Sequence, residues 1–333
     1  MNTIPFDRFA RALAGFFGRR TVAQWLFGLS LAALATGAEF GATDVDAKKN
    51  KKKKRRGRKK KKKNTCKPDC TGKTCGPNGC DGNCGTCAGT ETCLAGACAN
   101  ICDVCATDCT FDNVSLAIAQ ARPGATIILC PETFSGPAGV GVGKEVTLVG
   151  AGADPSETIL SRGGAGPTFS VQNGSTLTVR NLTITGAAGG GIGGILNSGT
   201  LRLESVHVVD NTGATAGGGI NNQFGELTLV DSLVQGNDAQ SGGGIKNEGG
   251  NVTLIRTVVE GNQAETGGGI DNTQGTVNLT DDSSVTGNMA TGGVGSGGGI
   301  LNADTVSIDG SSSVEGNDPD DCVDSGSGDG CPS

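Results

Sequence analysis

Residues 217–237 read GGGINNQFGELTLVDSLVQGN and residues 242–262 read GGGIKNEGGNVTLIRTVVEGN, so one phrase recurs at an offset of 25 residues. Outward from this pair, Gly-Gly-Ile-x-Asn occurs five times between Gly193 and Asn302. Its isoleucines are Ile195, Ile220, Ile245, Ile270 and Ile300, in three steps of 25 residues and one of 30. A period of that size marks a supersecondary unit that cannot bury its own apolar face and must stack on its neighbours.

Other positions recur with the isoleucine. Leu201, Leu227, Val252, Val277 and Val306 form one column, and Leu203, Leu229, Leu254, Leu279 and Ile308, two residues on and so on the same side of a strand, form another. A further column is Val208, Val234, Val259, Val285 and Val314, each three residues before Asn211, Asn237, Asn262, Asn288 or Asn317. Each period therefore predicts three short strands separated by Gly, Asn, Asp and Ser turns, with no segment long enough for a helix. Such strands describe a parallel β-helix whose coils stack ~4.8 Å apart. The Asn two residues after each Ile faces the core with it. Asn197, Asn222, Asn247, Asn272 and Asn302 are thus expected to form a structural ladder in which each amide bonds the next.

Upstream, Val171 and Asn173 read as one more Ile-x-Asn step, followed by Leu177, Val179 and Ile184 in the expected columns. Val146, Leu148 and Ile159 read as an earlier coil, and Thr126 to Leu129 as the first strand. Asn113 to Ala121, ended by Arg122-Pro123-Gly124, reads as an amphipathic helix that covers the open end of the solenoid.

The order of cap helix, RPGATIIL (122–129) and VTLVGAGA (146–153) resembles the start of bacterial right-handed parallel β-helix proteins of the pectin-lyase-like superfamily. The Gly-Gly-Gly-Ile and Val-x-Gly-Asn phrases are similar to the repeats of chlamydial polymorphic outer membrane proteins, with Val here in place of their Phe. The resemblance covers about two thirds of the chain. It implies an all-β, right-handed parallel β-helix, a solenoid of about 7–8 coils with an N-terminal cap helix, and it implies adhesion. The same fold also carries lyases and hydrolases that act on acidic polysaccharide with aspartates, an adjacent basic residue and exposed aromatics, in some cases with calcium. Against the adhesin resemblance, the chain ends in Asp-, Gly- and Ser-rich sequence rather than a C-terminal membrane barrel.

The solenoid is expected to span 110–317. Residues 1–45 carry Arg8, Arg11, Arg19 and Arg20, an apolar stretch from Val22 to Ala35 and small residues near Ala38 and Ala42, which reads as a signal peptide. Arg19 and Arg20 point to the twin-arginine route. The apolar stretch is too short for a membrane span, so the mature chain is read as exported, extracellular or surface-associated, with no transmembrane segment. Residues 46–64 form a Lys/Arg-rich linker in which 14 of the 16 residues from Lys48 to Lys63 are basic, a run that repels itself and is read as disordered. The formal net charge of -6 conceals a division, since residues 64–333 hold 9 of the 27 basic and 29 of the 33 acidic residues. The basic run reads as an arm for an anionic envelope polymer or polysaccharide. The acidic body argues against dedicated nucleic-acid recognition, which places basic residues on the folded surface.

Residues 65–109 form a cysteine-rich module with too few apolar residues to fold without staples. Fourteen cysteines in an exported chain predict disulfides, with Cys109–Cys130 and Cys322–Cys331 as candidate pairs. Cys84, Cys87, Cys102 and Cys105 come close to a zinc-ribbon spacing and are the metal alternative. Residues 318–333 read as an acidic tail, and Asp318, Asp320, Asp321 and Asp324 do not match a calcium loop.

For catalysis the candidates are the adjacent carboxylates Asp281 and Asp282, which lack a basic partner nearby in sequence. The one histidine, His207, falls in a column otherwise filled by Leu233, Val258, Ser284 and Ser313, an outward and tolerant position. There is no Tyr, and the one Trp, Trp25, lies in the signal segment. Phe111, Phe134, Phe169 and Phe224 read as core or cap residues, so stacking platforms for sugar rings are missing. The sequence thus points to a non-catalytic structural or adhesive rod without a cofactor, and to a polysaccharide lyase or hydrolase, with calcium as its ion, as the alternative.

Overall fold

A computed structural model describes residues 91–94, 97–100, 102–106, 109–136, 139–326 and 330–331. The segment read as a signal peptide with its Arg19 and Arg20, the basic run, and Cys84 and Cys87 lie outside the described residues. The described chain is an all-β parallel solenoid of about eight turns with very little helix. No described helix is long and apolar enough to cross a membrane.

Three faces run the length of the solenoid, each a stack of parallel strands in register. The first carries Val140, Phe169, Ile195, Ile220, Ile245, Ile270, Ile300 and Cys322 in one column. The second carries Ile127, Leu148, Val179, Leu203, Leu229, Leu254, Leu279 and Ile308. The third carries Phe134, Leu160, Ile184, Val208, Val234, Val259, Val285 and Val314. Between coils the inward members of these columns are almost wholly buried and form one continuous core. At roughly 1.5–3 kcal/mol for each fully buried aliphatic side chain, this stacking is the main source of stability.

The middle coils contain a fourth strand that the period did not predict. Gly190–Ile192, Gly213–Ala216, Asp238–Ser241, Gln263–Thr266 and Met289–Ala290 form a separate five-stranded sheet. Its strands are short and carry alanine inward, as at Ala239, Ala264 and Ala290, so they lack the apolar signature by which a strand is read from sequence.

Both asparagine columns are bonded ladders inside the core. Asn197 Nδ2 donates to Asn222 Oδ1 at 2.7 Å, and the row continues through Asn247, Asn272 and Asn302 to the Asp324 carboxylate at 2.9 Å. The second row runs from Asn211 through Asn237, Asn262, Asn288 and Asn317 to Asp321, with side-chain spacings of 2.9–3.1 Å. There the backbone N–H of each Asn from Asn211 to Asn288 also donates to the next Asn Oδ1. Each amide donates toward the C-terminal end, so the aligned dipoles present their positive ends there and a carboxylate, which only accepts, terminates each row.

Several expectations are corrected. Register places Phe169 in the isoleucine column and Val171 in the asparagine column, while Asn173 is exposed, so the first ladder starts at Asn197. The turn from Val171 to Leu177 is two residues longer than the equivalent turn from Asn197 to Leu201, and Asn173 falls in that longer turn. Leu160, not Ile159, lies in the third-face column. The solenoid also extends past 110–317 at both ends. Val104 is fully buried and bridges Leu129, while Cys322–Asp324 pairs with Ile300–Asn302, so part of the 318–333 segment closes the last coil. Cys130 is joined to Cys102, and Cys109 to Cys105, in place of a Cys109–Cys130 bridge. The cause is the docking of Val104: the backbone N–H groups of Asp103 and Val104 both donate to Ile128 O and bring Cys102 beside the first coil. Cys322 and Cys331 are joined. The cap helix spans Val114–Gln120, N-capped by Asn113, whose side chain accepts from Leu116 N at 2.8 Å.

Candidate functional site

Asp281 and Asp282 both have positive φ, at 54° and 65°, at the corner between the second and third faces. The corner column brings them a basic partner that sequence proximity did not reveal. Arg256, one coil earlier, donates from Nε to Asp231 Oδ1 at 2.6 Å, and its Nη1 lies 3.6 Å from Asp281 Oδ2. Arg256 holds the Asp231 carboxyl below the usual range, and Asp231 raises the guanidinium in return. The Asp281 N–H, with Ser312 and Ser311, holds Asp309 well below the ordinary carboxylate range. These groups stand on a convex edge, with the side chains of Asp231, Arg256 and Asp281 about half exposed. A projecting edge does not exclude water or hold a substrate on two sides, so the row is a ladder of surface ion pairs.

The remaining sequence candidates do not converge. His207 faces outward on the third face between Thr183 and Leu233. Asp320 accepts from Gly295 N, while Asp321 and Asp324 end the two amide rows. Cys102 and Cys105 are consumed in disulfides and offer no thiolate to zinc. Among the described residues the one group close enough to share an ion is Cys105, Cys109 and Cys130, all three disulfide-bonded.

The outer side of the first face holds a different arrangement. Asn221, Lys246 and Asp271 follow one another in register on adjacent coils and point away from the core, yet they are only 1%, 9% and 5% exposed. The glycine turns before each strand fold over them. A Cβ on Gly267, for instance, would stand 2.5 Å from Asp271 Cβ, so only glycine fits. Lys246 Nζ lies 3.0 Å from Asp271 Oδ2 and also donates to Thr273 Oγ1. Ser241, Thr266 and Thr273 each donate a hydroxyl to Asp271. With these donors and Lys246 on it, the carboxylate is occupied and the ammonium is bound, so neither is poised as a general base or nucleophile. The pair fixes the face.

Next to this row, Gln223 Nε2 donates to Glu248 Oε2 at 3.1 Å, and Asn251 Nδ2 to Glu226 Oε1 at 2.6 Å. Between the two pairs stands Phe224, 77% exposed with φ 57°. Its ring lies over Gly249 of the next coil, where a Cβ would meet ring carbons at 2.6 Å. This reverses the expectation that Phe224 is a core or cap residue. A bulky residue with positive φ is a strained outlier, and such strain concentrates at functional positions. The sequence did carry a signal for both features. Phe224 interrupts a corner that is glycine at Gly174 and Gly249, and Lys246 and Asp271 are opposite charges at one repeat position.

No protein-family model matches the chain, and comparison with curated proteins and with solved structures yields no match either. The site is therefore interpreted from its own residues. It is a polar face of in-register strands with paired acceptors and amides and one aromatic ring presented to solvent.

Proposed function

We propose that this protein is an exported, envelope-associated β-solenoid that acts as a rigid, non-catalytic rod or adhesive surface for polysaccharide. The observation that carries the reading is Phe224, held strained and exposed between the Gln223–Glu248 and Glu226–Asn251 pairs. An exposed aromatic ring flanked by paired amides and carboxylates suits the apolar side and hydroxyl edge of a sugar ring. The regular coil spacing of ~4.8 Å suits repeated weak contacts along a polymer. Charge divides the labour. The acidic body favours neutral or amino-sugar polymer on the face, and the Lys48–Lys63 arm engages anionic polymer. The pectin-lyase-like and polymorphic outer membrane protein resemblances belong to this reading as a proposal about origin.

The alternative, a polysaccharide lyase or hydrolase, draws on the Asp231–Arg256–Asp281 row. One experiment separates the two. The full-length protein is passed over immobilised neutral, amino-sugar and acidic polysaccharides while soluble product is measured. Retention without turnover is expected, with Phe224→Ala weakening retention on neutral glycan and deletion of 48–63 removing the salt-sensitive retention on acidic glycan. Turnover abolished by changing Asp281 and Asp282 to Ala would replace this reading with the enzymatic one.

A further inference from the structure

A cavity of about 360 Å³ opens between the third and first faces of the earliest coils, under the start of the cap helix. Its origin is visible in the register. In the later coils the residue before each first-face isoleucine is glycine, at Gly194, Gly219, Gly244, Gly269 and Gly299, because the second asparagine ladder fills that corner. A Cβ there would come within 2.6–3.1 Å of the Asn side chain. The ladder stops at Asn211, whose Oδ1 accepts from Ala187 N. One coil earlier Ala187 occupies the asparagine position, and Thr168 takes the place of the glycine. Thr168 is 7% exposed, and its Oγ1 is fully buried without a hydrogen-bond partner among the described residues. An unpaired buried hydroxyl of this kind is costly, and Thr168 lines the cavity.

The rest of the wall defines the chemistry. Phe134, Leu160 and Phe169 give an apolar floor, and Asp112 and Glu132 stand at the rim. The Arg162 guanidinium, also in the wall, donates to the carbonyls of Gly136, Ala165 and Pro167, which fixes it as a strut. The volume is in the range of small-ligand sites, roughly 300–1,000 Å³. Carboxylates at the rim disfavour an anion and favour a ligand with a cationic or hydroxyl edge.

We infer that this cavity is a binding site for a small ring compound with one apolar face and a donor-rich edge, of the amino-sugar class, and that the Thr168 side chain turns about χ1 to present its buried Oγ1 to the bound ligand. The site is separate from the Phe224 face and does not depend on it. The test uses full-length protein with glucosamine as probe and galacturonate as anionic control, followed by saturation-transfer NMR and calorimetry. Saturable binding of glucosamine, absent for galacturonate, is expected. Thr168→Val should weaken it about tenfold while leaving the melting temperature unchanged or higher, because an unpaired hydroxyl is removed at constant volume. Phe134→Ala should also weaken binding, by removing the floor. The inference is overturned if glucosamine fails to bind, if galacturonate binds equally, or if both variants bind as the parent does. Retention of polymer by the Phe224 face should be unaffected by Thr168→Val, so failure of one site is distinguishable from failure of the other.

Discussion

The coils between Gly190 and Asn302 and those before Ala187 share three faces, yet they solve the problem of the fourth corner differently. In the later coils a short extra strand, a glycine turn and an asparagine amide close it, and each asparagine of the second ladder is bonded to the next coil. In the early coils the ladder is missing, a disulfide and a helix close the end, and a cavity with an unpaired hydroxyl is left. Regularity of the repeat therefore tracks the second asparagine ladder. Where the period is strict an asparagine fills the inner corner, and where it lapses a cavity opens there.

The comparison can be broken at several points. The largest effect is expected for Lys246→Met, which leaves the Asp271 carboxylate buried without its cation and should lower unfolding free energy by about 4 kcal/mol. Adding Asp271→Leu should recover most of that loss in denaturant titration. A pair of glycine changes tests the two regions directly. Gly243→Ala puts a Cβ 2.3 Å from Gln263 O and 2.5 Å from Gly268 O and should cost about 3 kcal/mol. Gly136→Ala, with nothing within 4 Å among the described residues, should stay within about 0.5 kcal/mol. Equal effects would show that the early corner is as tightly filled as the late one.

Replacing Cys102 and Cys130 together by Ser should cost about 3 kcal/mol, with hydrogen exchange rising first around 102–135 and not in the later coils. Asn247→Leu, which takes one amide out of the first ladder and leaves Asn272 Oδ1 without its donor, should cost about 2 kcal/mol. The smallest effect concerns pH. Asp231 and Asp309 both have lowered pKa values, so the stability they contribute is present above the unfolded value near pH ~4 and is lost as pH falls through the folded values. Asp309→Asn should therefore flatten the fall of melting temperature below about pH 4 and lower it slightly at pH 7.

Much of this architecture was legible in the repeat. Ile195 to Ile300, the paired leucine columns and the valines before each second asparagine announced parallel strands in register, because identical residues at one period can only stack. The reading lost the register upstream of Asn197, where Val171 and Asn173 mimic the repeat but Phe169 fills the isoleucine position. It missed the fourth sheet because Ala239 and Ala264 carry little hydrophobic signal. Arg256 could not be matched to Asp281 by sequence proximity, since the contact crosses a whole coil.

The sequence by itself determined the repeating unit, its apolar columns and the need for glycine at its turns, since period, side-chain volume and backbone freedom are local properties. Only the tertiary structure decided which polar groups are satisfied and which are presented. Stacking is what brings Lys246 onto Asp271, carries both amide rows to a carboxylate, lifts Phe224 into solvent and leaves Thr168 facing an empty corner. These follow from contacts between residues tens of positions apart, and their energies depend on burial that exists only once the coils are assembled.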